Sequence, residues 1–251
     1  MLVAQNDRSR DKNNNLPDYQ ALTDEQLRKT TLMYLNDPSN PTSATAPLSF
    51  FEETVQFAKD NGIAVMHDFA YGGIGFDGQK PISFLQAEGA KDVGIEMYTM
   101  SKTYNMAGWR IAFAVGNQDI VEAINLLQDY LFINPFPAVQ KAAATALTGD
   151  QACVEELIQL YEHRRNTFIE ACKKINWPVQ SPKASFFAWL PVPDGYTSES
   201  FTKLLLDEVD IAVAPGSAFG ASGEGYVRVG LLESEERLQE AVKRIEALQL
   251  F

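Results

Sequence analysis

Two apolar runs, residues 93–100 and 111–115, enclose a short polar insert, Ser101-Lys102-Thr103-Tyr104-Asn105, which is followed by Gly108, Trp109 and Arg110. Apolar runs of this length bounded by polar residues read as buried strands. The insert must then be a tight turn, with Lys102 on it in a setting of low dielectric. Burial disfavours an ammonium, so an amine there is expected to serve as a nucleophile, and its natural use is a Schiff base with a carbonyl compound. On these residues alone a solvent-facing loop lysine remains open as well.

The chain before the insert alternates in the manner of an α/β protein. Thr31 to Leu35 reads as a buried strand. It ends in Asn36-Asp37-Pro38-Ser39-Asn40-Pro41-Thr42-Ser43, a rigid hydrogen-bonding loop or a plain turn. Residues 47–61 form an amphipathic helix closed by Asn61-Gly62. Ile63 to Met66 is a second buried strand that runs into His67, Asp68 and Tyr71. An acid at the carboxyl end of a buried parallel strand lies where α/β sheets bind ligands, although a helix cap is an alternative use. His67 reads as a packing neighbour. The glycines at 72–78 do not open a helix and contain no dinucleotide fingerprint.

Downstream, helices are expected over 119–130, 138–147 and 150–174, the last over about 30 Å long. Trp177-Pro178 ends it, and the pattern changes to short strands and helices: a strand over 186–190, a helix over 198–208, a strand over 226–230 and a terminal helix over 234–248. Arg228 lies inside an apolar strand, where a charge needs a partner. An ion pair with an acid and a ligand carboxylate are both open. The expected organisation is an irregular segment over 1–20, a large α/β domain over 21–149, an interdomain helix over 150–176 and a small α+β domain over 177–251.

Composition narrows the function. A net charge of -12 over 251 residues argues against nucleic acid and against an anionic membrane surface. Cys153 and Cys172 form no CxxC pair, and with only two histidines, His67 and His163, no metal site is expected. No apolar run reaches the length of a membrane span, and no signal peptide is read at the start, so a cytoplasmic setting is expected.

The segment Ser101 to Arg110 resembles the cofactor-lysine segment of the class I/II aminotransferases, pyridoxal 5'-phosphate (PLP) enzymes of fold type I. Two further segments, Asn36 to Ser43 and Asp68 to Tyr71, match in the expected order. The resemblance runs from about Asn15 to the C-terminus and is strongest to a Gram-positive group that includes methionine-salvage and acetyl-diaminopimelate aminotransferases. It implies a mostly parallel sheet in the large domain and a small C-terminal α+β domain. It also implies that Lys102 forms the Schiff base with PLP and then acts as acid and base. Asp68 would hold the pyridine nitrogen protonated, and Tyr71 and Asn40 would bond the 3'-oxygen. Thr99, Ser101 and Arg110 would serve the phosphate, and Arg228, with Asn40, the substrate carboxylate. The implied activity is transfer of an amino group between an L-amino acid and a 2-oxo acid, by a homodimer. A carbon–sulfur β-lyase shares the same residues.

Two departures from the family pattern stand out. The family's phosphate-cradling loop and ring-stacking aromatic precede the region matched here, so the chain is expected to be an N-terminally truncated member, and a non-catalytic fragment is the rival reading. Ser43 stands where the family has Gly, so a positive φ there would strain the serine.

Overall fold

The structure is a computed structural model that describes residues 15–131 and 134–251. The expected irregular segment over 1–20 lies, up to residue 14, outside the described residues. Two compact units account for the rest: residues 18–38 with 45–157, and residues 15–17 with 39–44 and 158–251.

The first unit opens with a short helix, α1 (Asp24–Lys29). Thr23 caps it, accepting from the Gln26 N–H while the Gln26 side chain accepts from the Thr23 N–H. Four strands follow: β1 (Leu32–Asn36), β2 (Ala64–Asp68), β3 (Gly94–Thr99) and β4 (Ala112–Gly116). They lie side by side in sequence order, with β1, β2 and β3 parallel and β4 antiparallel to β3. The α/β expectation therefore holds, as does the mostly parallel sheet. The crossover between β1 and β2 is α2 (Leu48–Asn61), closed by Gly62 at φ 63°. A glycine takes this left-handed position without strain.

Alternation along the strands sorts the sheet into two faces. Leu35, Val65, His67 and Glu96 share one face and are buried, covered by Phe51 and Val55 of α2 and by Phe84. Burying a phenylalanine completely, as at Phe51, contributes roughly 2–3 kcal/mol. The other face carries Leu32, Tyr34, Asn36 and Asp68. Here the expectation of buried strands fails: Leu32 is 45% and Tyr34 51% exposed. In β4, Phe113 and Val115 are also exposed, because β4 is the last strand of the sheet and has a neighbour on one side only.

Two single-turn helices, α3 (Ala90–Val93) and α4 (Met100–Thr103), flank β3. Helices α5 (Gln118–Leu131), α6 (Pro137–Thr148) and α7 (Ala152–Lys174) follow. The boundary between the units falls within α7.

The second unit is an antiparallel sheet of β5 (Phe187–Pro191), β6 (Ala214–Pro215) and β7 (Tyr226–Gly230) in the order β5-β7-β6, with helices α8 (Ser198–Val209) and α9 (Glu235–Glu246). Its core gathers Phe168, Cys172 and Trp177 with Leu190, Phe201, Leu205, Val227, Leu238 and Val242. Leu238, Val242 and Ile245 recur at helical spacing and form the buried stripe of α9. Among the described residues no helix is long and apolar enough to cross a membrane.

Candidate active site

Parallel strands place their last residues along one edge of a sheet. In the first unit that edge gathers most of the residues singled out in the sequence. Asn36 ends β1, Asp68 ends β2 and Thr99 ends β3; Asn36 and Asp68 are register partners. Because β4 is antiparallel and Ala112 pairs with Thr99, Arg110 enters the sheet at the same edge. Tyr71 and Lys102 each lie three positions beyond a strand end, after Asp68 and Thr99.

Lys102 does not lie on a tight turn. It occupies α4, capped by Thr99, whose Oγ1 accepts from the Ser101 N–H at 3.1 Å and lies 2.9 Å from Ser101 Oγ. A threonine two residues before a serine was the local signal for this cap. Lys102 is half-buried between buried Ser101 and Thr103. Its Nζ stands 5.9 Å from the centre of the Tyr71 ring. Gly73 sets that approach: a Cβ there would lie 2.5 Å from the Thr103 side chain, so only glycine lets the Tyr71 turn close on α4. The Tyr98 hydroxyl donates to Thr103 Oγ1 at 2.8 Å and holds the helix from the strand side.

Asp68 is held by two donors. The Ala70 N–H meets Oδ1 at 3.2 Å, and the Tyr34 hydroxyl meets Oδ2 at 2.9 Å. Partial burial, reinforced by the bond to the Asp68 carboxylate and by its charge, pushes the Tyr34 phenol up to about 12. Tyr34 therefore stays a donor at every physiological pH. It was missed in the sequence, although alternation from Asn36, the register partner of Asp68, puts it on the same face. Asn36 Nδ2 also donates to the Asp68 carbonyl at 3.0 Å.

Arg110 adopts a left-handed conformation, φ 52° and ψ 51°, after the 3-10 turn Ala107–Trp109. Its Nη1 donates to the Ala107 carbonyl at 3.0 Å. A non-glycine residue there is uncommon and costs on the order of 1 kcal/mol.

The remaining two residues, Asn40 and Arg228, belong to the second unit, which brings them together: Arg228 Nη1 donates to Asn40 Oδ1 at 2.7 Å. The guanidinium is stacked between the rings of Phe187 and Phe219, 4.3 Å and 4.7 Å from their centres. Flat aromatic faces suit a planar cation and fix its plane. In the same unit Ser43 has the positive φ expected of the glycine it replaces, 58°. It is buried and tied down by Ser185 Oγ at 2.6 Å and by its own donation to the Phe187 carbonyl at 2.8 Å. Those bonds offset the strain of the left-handed backbone, and they anchor the Asn40 loop to the start of β5.

The donor set of the first unit comprises an amine, a carboxylate at an adjacent strand end, a phenol, two hydroxyls and a guanidinium. It suits a small aromatic aldehyde carrying a basic ring nitrogen and an anionic group. Among the described residues no cluster of three metal-ligating side chains occurs.

Comparison with known proteins agrees with this chemistry. The profile of "Aminotransferase class I and II" matches residues 4–245. The chain is 63% identical over 236 residues to the L-glutamine--4-(methylsulfanyl)-2-oxobutanoate aminotransferase of Bacillus subtilis (strain 168), covering 94% of this chain and 59% of that protein. It is 44% identical to Transaminase BacF of the same organism, covering 96% and 60%. The structure of apo-BacF superposes with a TM-score of 0.92 over 96% of this chain and 61% of that one, and an aminotransferase structure from Staphylococcus aureus with 0.89 at 40% identity, over 93% and 62%. The chain spans about three-fifths of the length of these relatives. An amine and an acid at neighbouring strand ends, a matching profile along nearly the whole sequence and a shared fold lead to one statement: the chain belongs to the class I and II aminotransferase family.

Proposed function

We propose that this chain transfers an amino group between an L-amino acid and a 2-oxo acid with pyridoxal 5'-phosphate as cofactor. The reading rests on the juxtaposition at the end of β2 and β3: the Lys102 amine beside the Tyr71 ring, with Asp68 on the neighbouring strand. When bound, the cofactor supplies an electron-withdrawing ring that stabilises negative charge at the substrate Cα. Lys102 Nζ anchors the aldehyde carbon and afterwards holds or moves the proton at Cα. The Asp68 carboxylate accepts from the ring N–H and keeps the ring positively charged. The Tyr71 hydroxyl donates to the 3'-oxygen. Thr99 and Ser101 donate to the phosphate, whose charge the Arg110 guanidinium balances.

Arg228 is assigned to the substrate α-carboxylate. A guanidinium with its plane fixed by two rings can offer a carboxylate two parallel N–H groups, and Asn40 sets its rotation. The Bacillus relative named above is named for glutamine and 4-(methylsulfanyl)-2-oxobutanoate, and this is the first substrate pair we assign. A cytoplasmic homodimer completes the reading, which light scattering at micromolar concentration tests.

The test is an absorbance scan of the purified protein with pyridoxal phosphate, before and after borohydride. Wild type is expected to form a yellow adduct that borohydride fixes, and Lys102→Ala to form none. An adduct of equal yield on the variant removes Lys102 from the role. Pyruvate and ammonia released from a cysteine conjugate, with no 2-oxo acid needed, would replace the transfer by β-elimination.

A further inference from the structure

On the covered face of the sheet, directly behind Asp68, lies a charged network that the proposed reaction does not use. His67 is fully buried. Its Nδ1 lies 3.0 Å from Glu96 Oε2, and its Nε2 lies 3.0 Å from the backbone carbonyl of Asp37. A carbonyl only accepts, so Nε2 carries a hydrogen. The proton between Nδ1 and Glu96 then decides the charge of the ring. Ser83 Oγ, 2.9 Å from both Glu96 oxygens, and the Phe84 N–H, 2.9 Å from Oε2, both aim hydrogens at this carboxylate. Donors aimed at a carboxylate favour its ionised form and leave the shared proton on the imidazole. The rings of Phe51, Phe69 and Phe84, with centres 5.1–6.1 Å from the imidazole, close the site to water.

We propose that His67 is a positioning residue: held at Nδ1 by Glu96, it pins the Asp37 carbonyl from Nε2 and thereby fixes the strand end that presents Asp68.

The geometry of the pin supports this role. The last register pair of β1 and β2 is Asn36 with Asp68. Beyond the ladder, two side chains cross between the strands in opposite directions. On one face Asn36 donates from β1 to the Asp68 carbonyl; on the other His67 donates from β2 to the Asp37 carbonyl. The two strand ends are thus tied to each other by one side chain on either face. The groups facing the ring are Glu96 from β3 and Asp37 from the loop after β1. The Asp37 carboxyl is itself buried; burial raises its pKa, while the Ala46 N–H and the charge of His67 oppose the rise. A buried pair of this kind is tolerated only when its polar atoms are hydrogen-bonded, and both Glu96 oxygens and both ring nitrogens have partners. The consequence for the cofactor rests on the reading of Asp68 given above; the pin itself does not.

The experiment is ring-nitrogen NMR of protein labelled with 15N-histidine. The sequence has two histidines, and His163 is exposed, so it serves as an internal reference. Wild type is expected to show two ring N–H signals for His67, one for each of its two hydrogen bonds. A single N–H on His67 overturns the proposal without any variant. Glu96→Gln keeps the shape and removes the charge. It is expected to leave His67 with one N–H, to shift the Ala70 amide that bonds Asp68, and to weaken pyridoxal phosphate binding about tenfold while Lys102 still takes the adduct. If the His67 ring changes but the Ala70 amide and the affinity do not, the positioning role falls. If wild type forms no adduct at all, the aminotransferase reading falls, and the ring and Ala70 signals still decide the pin.

Discussion

The two faces of the four-stranded sheet are built from the same strands and carry opposite chemistry. Odd positions of β2 face α2: Val65 is packed away, and His67 closes its hydrogen bonds within the protein. Even positions face the other way, and there Asp68 meets Tyr34 and Asn36 at the strand end. A period of two lets one short strand do both jobs, because a single step along the chain changes sides. The face that holds the fold together is sealed by aromatic rings, and the face that offers chemistry keeps its polar groups within reach.

Four outcomes would sharpen or break that contrast, running from the largest expected loss of stability to the smallest, with the Leu32 control set beside the substitution it is paired with. Val65→Ala, on the sealed face, leaves a cavity in a site with no exposure and should destabilise the protein by about 2–3 kcal/mol in urea unfolding. Leu32→Ala, on the opposite face, removes more carbon yet should cost under about 1 kcal/mol, since the side chain is already half in water. Equal losses at the two positions would mean that the faces are not different.

Asp37 gives a pH signature of the sealed side. Burial pushes its carboxyl up from 3.8 to about 6. Its Oδ1 has no hydrogen-bond partner among the described residues. A carboxyl whose folded value exceeds its unfolded one binds the proton more tightly when folded. Its contribution is therefore fully present below about pH 4 and is lost as the pH rises through about 6. The span between those values corresponds to on the order of 3 kcal/mol at most. In Asp37→Asn the fall in stability between pH 4 and 6 should be shallower, as measured by unfolding midpoints across that range. An unchanged slope would show that the wild-type carboxyl is ionised throughout. The smallest effect on stability belongs to the open face. Tyr34→Phe removes one donor to Asp68 and should weaken pyridoxal phosphate affinity about fivefold, on the order of 1 kcal/mol, with stability nearly unchanged.

Much of this was legible before the structure. The strand ends after residues 36, 68 and 99 were marked by a switch from apolar to polar residues, and these are the positions where a parallel sheet gathers its chemistry. The positive φ of Ser43 followed from the glycine that relatives use there; the Ser185 bond that stabilises it joins residues 142 apart and could not be read locally. The pairing of His67 with Glu96 was invisible for the same reason: it depends on the β2–β3 register, and alone each residue looks like packing or surface. Exposure of Leu32 and Phe113 escaped as well, because an apolar strand reads the same whether or not something covers it. The single helical turn of α4 reads in the sequence as a tight turn between strands, since four residues give too little periodicity to tell the two apart.

The account stands on Lys102 as the amine that takes the cofactor. Mass mapping of the borohydride-reduced protein tests this most directly. A pyridoxyl label is expected on the peptide that contains Lys102 and on no other; a label spread over surface lysines, or one confined to a different lysine, would contradict it.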